Sequence, residues 1–369
     1  MREVIGAARR AVVGSLALLW SVGLPAVADA VAQYEITDLG TLGGSSSTAL
    51  SINASGQVVG WAQNASGNKR AFLWDKGVMR DLGTLGGPTS GAYDVNDSGQ
   101  VVGWARFSTD FHYHAFLWEG GAMQDLGALA YGDSWAYALN NSGQVVGATA
   151  SSTGWPHAFL WDDGVMNDLG TLGRHQSVAM GINDLGQVVG QADTSEATEG
   201  QAFLWENGVM RELGVYAGLE HSAAHDINDS GQIVGTARKV WSSLHAALWE
   251  DGALEYLDAP DTYDSSAWGI NALGQVVGWM LRPPTDNEAV LWQDGVMYRL
   301  ESLVPSDSGW LLTRAESIND RGQIVGNGLH NGLTRAFLLT PIPEPSALGF
   351  LGCAFLVAVR RSPRRRGRE

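Results

Sequence analysis

The chain has one cysteine, Cys353, among 369 residues. It lies in an apolar stretch near the C-terminus, so no intrachain disulfide can form and thiol chemistry is excluded from the body of the protein. Basic residues are also scarce: 23 Lys and Arg stand against 39 Asp and Glu, a net charge of −16. The imbalance is not uniform. Residues 1–30 are net +1 and residues 341–369 net +4, which leaves −21 on the residues between. An acidic body of that size argues against nucleic acid or anionic lipid as its partner. Signature motifs are missing too. There is no Gly-x-Ser-x-Gly elbow, phosphate-binding loop, Cys-x-x-Cys or His-Glu-x-x-His, so no cofactor, metal or catalytic residue is assigned.

What is abundant is glycine, 48 residues, and much of it falls in one repeated motif. Gly-Gln-Val-Val-Gly begins at Gly56 and returns at Gly99, Gly143, Gly186, Gly231, Gly274 and Gly322, with Ile for the first Val in the fifth and seventh copies. The spacings are 43, 44, 43, 45, 43 and 48 residues. Each repeat carries four signals in order: Ser/Thr-x-Ala ending in Asn, the glycine motif, a His-Ala-Phe-Leu-Trp type segment, and Val-Met-x-Asp-Leu-Gly. All are short, rich in β-branched and aromatic residues, and bounded by Gly, Asn and Asp, so they read as strands. Four strands in about 44 residues correspond to one propeller blade. The expected fold is all-β, a seven-bladed β-propeller over residues 31–340.

The ends of the array interlock. Residues 34–39 match the fourth strand of a repeat but precede the first complete copy, while the last repeat stops after its third strand. Pairing the two closes the ring and removes an open edge. First and second strands, and third and fourth, are joined by tight turns such as Asn96-Asp97-Ser98-Gly99 and Asp162-Asp163-Gly164. Second-to-third and blade-to-blade links vary. One propeller face therefore carries uniform turns and the other carries the variation, where function sits on loops held by a rigid scaffold. On that face Arg106, His112 and Tyr113 fall in one link, and Trp155, Arg238 with Trp241, and Arg282 in others. Aromatic rings in such loops stack on sugars and Arg bridges hydroxyls or carboxylates. The plain alternative is ordinary covering of blade ends.

Recurring residues have structural readings. Trp74, Trp118, Trp161, Trp205, Trp249 and Trp292 recur once per repeat, with Leu339 in the seventh, as inter-blade packing requires. Asp97, Asp184, Asp229 and Asp320 read as turn formers. His221 and His225 are four apart, but on a strand that spacing is about 13 Å, too far for one metal.

Residues 1–30 read as a secretory signal peptide: Arg2, Arg9 and Arg10, an apolar stretch, then Ala28-Asp29-Ala30 as the cleavage site. At the other end, a proline-rich linker leads into an apolar run at 347–359, expected as a short hydrophobic helix, followed by Arg360, Arg361, Arg364, Arg365, Arg366 and Arg368. Pro343-Glu344-Pro345, the apolar run and the Arg cluster together resemble the PEP-CTERM sorting signal of Gram-negative bacteria. That resemblance implies membrane contact through the tail, processing by an exosortase-type membrane protease, and delivery to the envelope or extracellular matrix, often alongside exopolysaccharide. The repeats resemble HAF repeats of bacterial extracellular proteins, named for the His-Ala-Phe seen at 114–116 and 157–159. Four other copies replace the His by Arg70, Gln201, Glu288 or Arg335, while His245 keeps it but is followed by Ala246-Ala247, so it is no shared catalytic group. Three readings follow: a non-catalytic surface protein binding polysaccharide or another surface component, a secreted polysaccharide hydrolase or lyase using loop carboxylates, and a purely structural surface component.

Overall fold

The computed structural model describes residues 32–108, 112–195, 199–213, 219–239, 242–257, 263–282 and 287–343. The signal segment, Trp241, Glu344, Pro345 and the apolar run with its arginines lie outside them. Seven four-stranded antiparallel sheets form the seven blades of a β-propeller. We letter the strands of each blade a to d in chain order, from axis to rim. In blade one they are Gly43–Ile52, Val58–Asn64, Lys69–Asp75 and Val78–Asp81. Among the described residues the only helical piece is a 3-10 turn, Leu300–Leu303, in the link from blade six to seven, and no helix is long and apolar enough to cross a membrane.

Blade seven is composite. Its a, b and c strands are Trp310–Ile318, Ile324–His330 and Leu333–Pro341, and its d strand is the N-terminal Tyr34–Asp38. Tyr34 stands opposite Pro341 and Ile36 opposite Leu339. The ring thus closes by the pairing that the displaced fourth strand implies.

The repeat motif encodes a distortion as well as a strand. In every blade the a–b ladder slips by one residue just after the conserved alanine, between Ala49 and Ser51 in blade one and between Ala92 and Asp94 in blade two. The residues skipped are Leu50, Tyr93, Tyr137, Met180, His225, Trp268 and Glu316. Each is the extra residue of a β-bulge. The bulge drives a carbonyl against strand b, and there the motif's second glycine is obligatory: a Cβ at Gly60 would lie 2.0 Å from the Thr48 oxygen, and at Gly147 1.9 Å from that of Trp135. The motif's first glycine has positive φ, +89° at Gly56 and +82° at Gly143, as the a–b turn demands.

The core lies between blades rather than within one centre. Phe72 and Trp74 of blade one pack with Val325, Ala336 and Leu338 of blade seven, and Phe116 and Trp118 of blade two with Val59 and Leu73 of blade one. A serine on strand a adds a polar link at six seams. At one, Ser90 Oγ accepts from Ala71 N at 3.0 Å in the preceding blade and donates to the Gly83 carbonyl at 2.6 Å. The His of His-Ala-Phe acts within its blade. His114 Nδ1–H donates to Asp125 and His157 Nδ1–H to Asp168, both at 2.9 Å, tying strand c to strand d. Arg70 does the same to Asp81 at 3.2 Å. Blade six reverses the polarity, with Glu288 on strand c and Arg299 on strand d at 2.6 Å.

Candidate functional site

Strand direction places the a–b and c–d turns on one face and the b–c loops and blade-to-blade links on the other. Of the binding residues expected on that variable face, Trp241 lies outside the described residues, and none of the others lines the axial funnel or the rim groove described below. Arg106 and Tyr113 are the last paired residues of a ladder, not loop residues, because strands b and c of blade two run on to that point. Tyr113 packs edge-on to Trp104 at 5.2 Å and near-parallel to Trp135 at 6.4 Å. Its N–H donates to Asp133 at 2.8 Å, and His112 Nδ1 lies 3.1 Å from the same oxygen. Arg238, likewise on a strand, is held by Glu199 at 2.7 Å, and Arg282 sits 3.4 Å from Glu288.

The face divides into an aromatic part and an ionic part. Over blades two to four, Tyr131 is 83% exposed and Trp155 48% exposed. Each ring is backed by an imidazole: His112 meets Tyr131 edge-on at 4.8 Å, and His175 lies 5.1 Å from Trp155 with 30° between planes. Over blades five and six the same level is occupied by ion pairs of Arg238 and Arg282. Tyr131, Trp135 and His175 were not singled out by sequence. Their signal is an aromatic residue at the start of a blade, in or beside a variable link.

The turn face carries a funnel of 260 Å³ on the axis, lined by the a–b turns of all seven blades. Its wall is a closed circuit of asparagines. Each side-chain amide donates to the next blade's asparagine carbonyl: Asn53 to Asn96 at 3.0 Å, Asn96 to Asn140 at 3.1 Å, and so on to Asn319, which returns to Asn53 at 3.0 Å. The side-chain oxygen meanwhile accepts backbone N–H groups of its own turn, as Asn140 does from Ser142 and Gln144. This corrects the reading of the neighbouring aspartates. The asparagine forms the turn; the aspartate reaches the preceding blade, Asp97 accepting from Ala54 N at 2.9 Å and Asp229 from Asp184 N at 2.9 Å.

Titratable groups collect on strands a. Asp94 accepts from Ser51 Oγ at 2.6 Å and from Leu139 N at 2.9 Å, so it staples three blades, and burial pushes its carboxyl up. Asp226 is pushed up to about 6, mainly by burial, against two backbone N–H donors. Glu316 is pushed up to about 7 by burial, against Arg314 and the Asn327 amide. His225 is lowered to about 4 by burial. Its Nδ1–H donates to the Ala267 carbonyl at 2.7 Å and its ring stacks on Trp268 at 4.3 Å. These contacts fit a neutral, packed imidazole. Among the described residues no group of three or more His, Cys, Asp and Glu converges as a metal site.

No family profile matches the sequence, and no curated protein does. Solved structures do share its fold. A puromycin-hydrolysing peptidase of Mycobacterium tuberculosis superposes with TM-score 0.54 at 12% identity, over 82% of this chain and 52% of that one. TolB from Acinetobacter baumannii gives 0.44 at 13% identity, over 65% and 62%. The β-propeller domain of the Trilobed protease from Pyrococcus furiosus gives 0.43 at 9%, over 68% and 80%. This chain spans between half and two thirds of the length of the first two. At such identities the likeness is one of fold.

Proposed function

We propose that this protein is an exported, non-catalytic component of the bacterial envelope or extracellular matrix that binds polysaccharide through the aromatic part of its variable face. The observation that carries the reading is the pair of solvent-exposed, imidazole-backed rings, Tyr131 and Trp155. Trp155 rests against His175 and keeps 48% of its surface exposed, Tyr131 presents nearly its whole ring, and stacking a sugar on such a ring covers apolar surface while fixing only two side-chain torsions. The signal-like N-terminus and the Pro-Glu-Pro, apolar and arginine tail supply the address, with an exosortase-type protease as the processing partner.

Charge narrows the ligand. A body at −21 disfavours a polyanionic uronic-acid polymer and favours a neutral or amine-bearing glycan. The test is co-sedimentation of the purified protein with the producing organism's extracellular polysaccharide, in parallel with a polyuronate. Saturable binding to the first and none to the second supports the reading. No binding to either contradicts it and leaves the purely structural role.

A further inference from the structure

Blade seven departs from the others at its rim. In the other six, a strand-c tryptophan faces a large strand-d residue: Met79, Met123, Met166, Met210, Leu254 or Met297. In blade seven that pair is Leu339 and Ile36, so the tryptophan is replaced by a smaller side chain. Ile36 forms part of the wall of a mainly apolar groove of 560 Å³, larger than the axial funnel, with Tyr34, Pro305, Ser308, Trp310 and Ile342, and with Glu35, Asp38 and His330 as its polar members. Its floor is firmly built. Trp310 is buried, stacks on His330 at 4.6 Å with 11° between planes, and meets Phe337 edge-on at 6.0 Å. Tyr34 is buried as well.

The described chain ends beside this groove. Ile342 N–H donates to the Gln33 carbonyl at 2.8 Å, and its side chain, 48% exposed, forms part of the wall. The next apolar residues in sequence begin at Ala347, five positions on, a reach of about 17 Å when extended. Beyond the apolar run stand six arginines, opposite in sign to the −21 body and to Glu35 and Asp38 at the groove edge.

We propose that this groove is the docking site of the chain's own apolar tail, residues 347–359, whenever that run is in water. Burying apolar side chains on an apolar wall is favourable. The tether holds the run at a high effective concentration beside the groove, and the arginines add attraction to the acidic body. The occupant then rests on strand Tyr34–Asp38, the strand that closes the ring, so docking reinforces closure until the tail is withdrawn into a membrane or cut off. Docking requires only the tail's composition and the groove, not glycan binding.

Cys353 makes the test direct, because it is the single thiol and lies within the run. The full chain is labelled there with a benzophenone maleimide in detergent-free buffer, irradiated, and its cross-links mapped. Docking predicts intramolecular cross-links to 34–36 and 305–310, with a yield independent of protein concentration. Ser308→Trp, which fills the groove, should lower that yield by about tenfold, a loss of about 1.4 kcal/mol. Pro305→Glu, at an exposed position, provides a second variant if the first does not fold. Cross-links scattered over the surface, a yield that rises with concentration, or a yield unchanged in a folded groove variant would overturn the proposal.

Discussion

Asn319 Nδ2 donates to the backbone carbonyl of Asn53 at 3.0 Å, across 266 residues of chain. It is the last link of a circuit in which seven asparagines each tie one blade to the next. The same side chain shapes its own turn through Arg321 N and Gln323 N. Local turn and global closure thus rest on one residue type, placed ahead of the repeated glycine motif.

Replacing Asn140 or Asn319 removes an inter-blade bond together with three bonds inside its own turn, two from backbone N–H groups and one to a glutamine side chain. Asn140→Ala and Asn319→Ala are each expected to cost about 2–4 kcal/mol, since buried donors and acceptors are left unpaired. Urea denaturation measures this. A loss below about 0.5 kcal/mol, the scatter of ordinary surface changes, would show that the circuit is incidental.

The second glycine of the motif should differ from turn glycines that face open space. Gly147→Ala forces a Cβ to within 1.9 Å of the Trp135 carbonyl and should prevent folding or cost well over about 3 kcal/mol by comparison with ordinary single substitutions. Gly164→Ala meets no atom within 4 Å but has φ +86°, so strain alone, about 1–2 kcal/mol, is expected. Equal melting temperatures for the two variants would refute the bulge argument.

Deleting residues 31–40 should expose the Leu333–Pro341 edge and unlatch the ring. The melting temperature is expected to fall by about 10 °C or more, given that each kcal/mol shifts a domain of 150–250 residues by about 2–4 °C. An unchanged melting curve would mean that closure contributes little.

Glu316 sets a pH dependence whose sign is opposite to that of a salt-bridged carboxylate. Its folded pKa is raised to about 7 from 4.5, so its contribution is fully present below about pH 4.5 and is lost as pH rises through about 7. Asp226, raised to about 6, acts in the same direction. His225, lowered to about 4, acts oppositely: its contribution is present above about 6.5 and lost as pH falls toward 4. Glu316→Gln should therefore stabilise the protein at pH 8, by on the order of 1–3 kcal/mol, and show little gain at about pH 4, below the unfolded pKa. Parallel stability curves for the variant and the parent across that range would contradict it.

Much of this architecture was legible in the sequence because its signals are local. The a–b and c–d turns announce themselves through Gly, Asn and Asp, and the displaced strand at Tyr34 announces closure by being out of order. The bulge was not legible. One extra residue between Ala49 and Ser51 leaves the apolar pattern of strand a looking continuous, and only the ladder to strand b reveals that Leu50 is skipped. The aspartates misled for a similar reason. Asp97 sits in a turn by sequence, yet its partner, Ala54, is one blade away. The aromatic platform was half seen. Trp155 stands out in a variable loop, but Tyr131 comes from a different link, and only the fold sets both on one face. The groove at the rim joins Tyr34 and Ile36 to Pro305 and Trp310, which only ring closure brings together.

The most direct test of the functional account is to repeat polysaccharide co-sedimentation with Tyr131→Ala/Trp155→Ala. Both side chains are exposed, so the variant should melt at the parent's temperature. The account predicts that it loses binding by about tenfold or more, at about 1–2 kcal/mol or so for the stacked rings together. Binding by this variant at the parent's affinity would contradict the assignment of the aromatic face as the glycan site.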